Sequence, residues 1–194
     1  MNSNPTGAAG RGPLERKSVP CDPAAVRARG PAEAVEAQWR RLSVSWGWMR
    51  RRHEVDWPGM PYPRTVELLE AAAAEPALRQ LFPFTSHWNL HFSSCTQFPY
   101  VVRVPFVEPL RDGRFRIRER GTGTEFDEVD SAAEAVAVVL AHAPADLGPA
   151  VAGNASDLGE FEVWEPGPLG ASDPGGGPTY VDDGGGAGGG SGRR

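Results

Sequence analysis

From residue 31 apolar side chains recur at three- and four-residue steps, as Ala32, Val35, Trp39 and Leu42, with Glu33, Glu36, Arg40 and Arg41 between them. That is the period of a helix with one buried stripe. Pro31 suits a first helical position, and Glu36 and Arg40 form a favourable i,i+4 pair with acid before base. Residues 43–63 hold Trp46, Trp48 and Trp57 among several Gly and Pro. They read as a further turn or two of helix followed by an irregular, aromatic-rich connection. The helical period returns over residues 64–82, where Val66, Leu69, Ala73, Leu78 and Leu81 can share a stripe. Pro76 biases Glu75 out of the α region, so a break is expected there, then a short helix reaching Phe82 and ended by Pro83.

A period of two follows. Trp88, Leu90 and Phe92 alternate with Asn89, His91 and Ser93, as in a strand with one buried face. Residues 100–107 predict a second strand, and residues 114–118 a third, with Phe115 and Ile117 inward and three arginines outward. Asp112-Gly113 between them supplies the positive φ of a tight turn. Gly121-Thr122-Gly123 makes another turn, and residues 125–129 predict a short fourth strand. Ser131 and Glu134 form a capping box before an apolar helix from Ala132 to about His142, which Pro144 stops. The predicted fold class is α+β: N-terminal helices, an antiparallel meander of three to four strands, and a C-terminal helix packed on one face.

Composition limits this core to the middle of the chain. Residues 1–30 and 159–194 are rich in Gly, Pro, Ala and Ser, and cannot offset an ordering cost of about 1–2 kcal/mol per residue. The expectation is a disordered arm (1–30), one α+β domain (31–158) and a disordered Gly-rich tail (159–194). With neither an apolar leader in residues 1–30 nor a membrane-length apolar run, a cytoplasmic location is the default expectation, with no membrane partner. Cys21 and Cys95 make no disulfide framework.

The net charge of −5 argues against nucleic-acid binding by the whole chain. Its distribution is uneven: Arg40, Arg41, Arg50, Arg51, Arg52 and Arg64 lie near the start of the core, and Asp157, Glu160, Glu162, Glu165, Asp173, Asp182 and Asp183 near the end. Solvated faces account for both clusters most simply, although an acidic tail could fold back on the basic region. Arg50, Arg51 and Arg52 beside the tryptophans could hold RNA or an anionic metabolite; tryptophans packed on the core are the plainer reading.

Candidate chemistry is sparse. His87, His91 and Cys95 stand four residues apart, the spacing of zinc ligands on a helix. On a strand each step is about 13 Å, too far for one ion, so neither metal nor cofactor is expected. Cys95 with His87 is the candidate nucleophile pair, against a buried cysteine acting as a small hydrophobe. His53, Glu54 and Asp56 beside Trp57 could serve acid–base chemistry or be ordinary polar loop residues. Ser86, His87, Trp88 and Arg103 are the candidate ligand-binding residues. Gly121-Thr122-Gly123 lacks a following phosphate-binding lysine and reads as a turn.

Five stretches together resemble a known family: Val35-Glu36-Ala37-Gln38-Trp39-Arg40, residues 81–87, Cys95-Thr96 with Phe98-Pro99-Tyr100, Asp112-Gly113-Arg114-Phe115, and Glu134-Ala135-Val136-Ala137. Over residues 31–158 the chain resembles an actinobacterial, Streptomyces-type family of unknown function labelled natural product biosynthesis protein. The resemblance brings no catalytic residues. It implies an accessory or binding protein of a secondary-metabolite pathway, noncatalytic, whose partner is a peptide, a small metabolite or another pathway protein. The alternatives are a small pathway enzyme with a site around His87 and Cys95, and a nucleic-acid or anion binder using Arg50, Arg51 and Arg52.

Overall fold

A computed structural model describes residues 22–159. Helix α1 (Pro23–Arg27) is capped by the Asp22 carboxylate and buries Val26 against helix α2 (Pro31–Asp56). The last residues of the stretch expected to lack structure therefore form a helical turn; residues 1–21 and 160–194, with Cys21, lie outside the described residues. Helix α2 runs past the expected end near residue 50 to Asp56, so the irregular connection begins only at Trp57. No proline interrupts it before Pro58, and Gly47 alone costs only about 1 kcal/mol. Burial of Trp39, Leu42 and Trp46 outweighs that cost, and the i,i+4 pairs Arg50–Glu54 and Arg52–Asp56 support the last turns.

Helix α3 (Thr65–Ala74) ends where Glu75 turns extended before Pro76, and helix α4 (Pro76–Arg79) follows, as the proline predicts. Arg79 ties α4 to α2. Its guanidinium grips Glu36 at 2.9 and 2.6 Å while its carbonyl accepts from Trp39 Nε1 at 2.9 Å. The chain then enters a strand where helix was expected: β1 (Phe82–Ser86) pairs antiparallel with β2 (Asn89–Ser93). Pro83, which cannot donate to a ladder, is tolerated because β1 is an edge strand, and its carbonyl accepts from Gln38 Nε2 of α2 at 2.9 Å.

The sheet has five strands in the order β1-β2-β3-β4-β5, one more than the upper expectation. Strand β3 (Phe106–Pro109) starts six residues later than the strand expected from Tyr100, because Pro99 and Pro105 bracket that stretch and supply no N–H. Strands β4 (Phe115–Arg118) and β5 (Glu125–Val129) match their expected positions, and Gly113, Gly121 and Gly123 take positive φ at the turns. Helix α5 (Ala132–Ala141) carries both hydrogen bonds of the Ser131–Glu134 capping box. The short α6 (Ala155–Leu158) ends the described chain.

Helices α2, α3 and α5 cover one face of the sheet. Trp39, Leu68, Leu69, Leu90, Phe92, Val107, Phe115, Ile117 and Val139 fill the layer between. A smaller cluster of Cys95, Val101 and Ala155 lies under residues 94–105. Among the described residues no helix is long and apolar enough to cross a membrane.

Candidate functional site

Pairing of Ser86 with Asn89 leaves His87 and Trp88 as a two-residue hairpin turn. Such turns need positive φ at their first position, usually from Gly or Asn; here His87 supplies it at +55°. His87 stands exposed at the tip, and Trp88 turns back onto α2. The Trp88 ring lies 5.2 Å from Trp46 and meets Tyr62 edge-on at 5.4 Å. Tyr62 is 5.1 Å from His53, and His53 is 5.2 Å from Trp57. Five rings thus run from the hairpin across residues 57–63 to the end of α2, joining Ser86, His87 and Trp88 to the separate candidate His53.

The outer end of this corner is open. Trp57 is 44% and Met60 63% exposed, with Val55 exposed beside them. Arg50 and Arg52 border it, paired with Glu54 at 3.8 Å and Asp56 at 3.1 Å, and the Arg52 guanidinium sits 5.4 Å over Trp48. Glu54 and Asp56 therefore engage arginines on the helix surface, while His53 donates to the Met60 carbonyl at 3.3 Å. The three do not form an acid–base cluster. Burial pushes the Tyr62 phenol well above its ordinary pKa, opposed by the charge of Arg50, and its buried hydroxyl has no hydrogen-bond partner.

His91 was expected on the outward face of β2, and that face is also covered. The imidazole is 3% exposed, stacked between Phe84 at 5.0 Å and Phe106 at 4.7 Å. Tyr100 extends the stack, 4.4 Å from Phe84, and Phe98 meets Tyr100 edge-on. Arg120 Nη1 donates to His91 Nδ1 at 3.4 Å. Burial first, and the Arg120 charge second, lower the His91 pKa to about 3, so the ring is held neutral.

Cys95 does not share a strand face with His87 and His91: it lies past the end of β2, bridged to Val151. Its N–H donates to Ser93 Oγ at 3.0 Å, and its thiol faces the carbonyls of Gln97 and Pro99 at 3.5 and 3.6 Å. It is fully buried, with no base among these partners. The five residues of β2, about 17 Å of chain, separate it from His87, so the two do not form a nucleophile pair. Arg103 is also remote from the hairpin tip, locked to Asp146 at 2.6 and 2.8 Å. Among the described residues no three His, Cys, Asp or Glu side chains could hold a metal ion. The aromatic corner is the grouping that sequence periodicity missed, because Trp46, Tyr62 and Trp88 come from three elements.

No curated protein and no solved structure matches the chain. The sequence profile of a family of unknown function, DUF6193, matches residues 33–154, from the first turn of α2 to the N-cap of α6. The fold core, the hairpin and the aromatic corner all fall within that span, and the protein belongs to this family of unknown function, DUF6193.

Proposed function

We propose that the protein is a noncatalytic accessory or binding protein of a natural-product biosynthesis pathway, and that it meets its partner, a peptide, small metabolite or pathway protein, through the corner of Trp57 and Met60. The observation that carries this reading is the pairing of two exposed, large apolar side chains with a rigid base of packed rings and a border of arginines. Exposed aromatic and Arg side chains on a fixed support are the usual anchors of binding surfaces. The pathway assignment draws on the resemblance carried by residues 81–87, Cys95-Thr96 and the other matching stretches. The separation of His87 from the sealed Cys95 weighs against the small-enzyme alternative. The pairing of Arg50 and Arg52 with carboxylates weighs against nucleic-acid binding.

The test is a deletion strain, profiled by untargeted metabolomics and complemented with variants. His87→Ala and Cys95→Ala, if folded, restore the missing product, whereas Trp57→Ser with Met60→Ser does not. Failure of folded His87→Ala or Cys95→Ala to restore it would overturn the noncatalytic reading. Salt-sensitive retention on heparin would favour the nucleic-acid alternative.

A further inference from the structure

A second exposed apolar patch lies at the opposite end of β2, where Phe98 is 51% and Val151 40% exposed. Both belong to one small unit. Thr96 N–H donates to the Val151 carbonyl at 3.1 Å, Gln97 N–H to the Gly153 carbonyl at 2.9 Å, and Ala155 N–H to the Pro99 carbonyl at 2.9 Å. Leu158 and Tyr100 pack on the Cys95, Val101 and Ala155 cluster beneath. The described chain ends one residue later, at Gly159, whose positive φ of +82° redirects it. The next five residues are Glu160, Phe161, Glu162, Val163 and Trp164, in which acidic and apolar side chains alternate. On the adjoining face of α2, Arg41 is exposed, has no ion pair among the described residues, and lies close enough to Tyr100 for its charge to act on the phenol.

We infer that residues 160–164 dock on this patch, laying Phe161 and Val163 over Phe98 and Val151 and directing Glu160 and Glu162 toward Arg41. Reach and charge select this occupant. Five extended residues span about 17 Å, enough to cross the patch beside their point of exit. The corner of Trp57 and Met60 lies beyond the far end of β2, so the same segment leaves that corner open. Glu160 and Glu162 complement the exposed guanidinium, and alternating side chains give an extended segment one apolar and one acidic edge.

The experiment is ¹⁹F NMR of the full chain carrying 5-fluorotryptophan, with the Trp164 signal assigned from Trp164→Phe. Docking predicts a Trp164 shift away from its value in urea and a solvent-isotope shift well below that of the denatured chain. Phe98→Ser or Arg41→Glu moves the signal toward the denatured value, and combining Arg41→Glu with Glu160→Arg and Glu162→Arg restores it. The other five tryptophan signals stay in place in each variant, which separates undocking from unfolding. A wild-type Trp164 signal at the denatured shift, or one indifferent to Phe98→Ser and Arg41→Glu in folded protein, overturns the inference. So does failure of the charge swap to restore the docked signal.

Discussion

The burial of His91 sets a pH dependence that can be worked out in advance. In the unfolded chain its imidazole titrates near the ordinary value of 6.5, whereas in the fold, stacked between Phe84 and Phe106 with Arg120 at Nδ1, it titrates at about 3. The folded pKa is depressed, so the contribution to stability is complete above pH 6.5 and is lost as pH falls from 6.5 toward 3. At pH 4.5 the unfolded state gains about two units' worth of protonation free energy that the folded state cannot match, about 2.7 kcal/mol. In His91→Phe the ring stack persists and this contribution disappears. Urea denaturation of both proteins, followed by tryptophan fluorescence at pH 7.5 and 4.5, isolates it, because carboxylate titrations are common to both. The stability difference between wild type and variant should shift by about 2.7 kcal/mol in the variant's favour between the two pH values. A difference that stays constant with pH would refute the claim that His91 is buried in its neutral form.

Other consequences can be checked in the same protein. Ser131→Ala removes one arm of the capping box of α5 and should cost about 1 kcal/mol by denaturation. His87→Gly relieves the positive φ at the hairpin turn and should raise stability by up to about 1 kcal/mol, whereas His87→Val should lower it. Cys95, sealed among carbonyls, should react with a thiol reagent only as fast as the fold opens, and in a Cys21→Ser background fast labelling in native buffer would contradict this. Trp39→Ala should cost about 3–5 kcal/mol, since it removes a fully buried ring and leaves the Arg79 carbonyl without its Trp39 donor.

What the sequence made legible is what neighbouring residues decide. Pro76 placed the break at Glu75, Asp112-Gly113 placed the β3–β4 turn, and Ser131 with Glu134 placed the start of α5, because each acts over four residues or fewer. The α+β class and the antiparallel meander followed from such signals in series. Strand β1 was hidden because Phe82-Pro83-Phe84 has no period of its own and gains strand geometry only by pairing with β2 through a turn that lacks the usual Gly or Asn. The length of α2 was hidden because Gly47 looks like punctuation locally, while the packing that overrides it comes from Trp88 and Tyr62, some forty and fifteen residues downstream. The candidate site followed the same division. The exposed turn at His87 lay within reach of pattern reading. The sealing of His91 did not, since Phe106 and Arg120 arrive from strands and turns that its own alternation cannot see.

The contact between Gln38 and Pro83 has a consequence for association between copies. With the Pro83 carbonyl occupied by α2 and its N–H absent, the β1 side of the sheet offers a poor template for another strand. Recruitment of foreign backbone is thereby directed to β5, whose Glu125, Asp127 and Glu128 repel an identical copy and favour a basic strand. The sheet is terminated by geometry on one side and by charge on the other, so concentrated protein should polymerise through this sheet only where acid or high salt silences those three carboxylates.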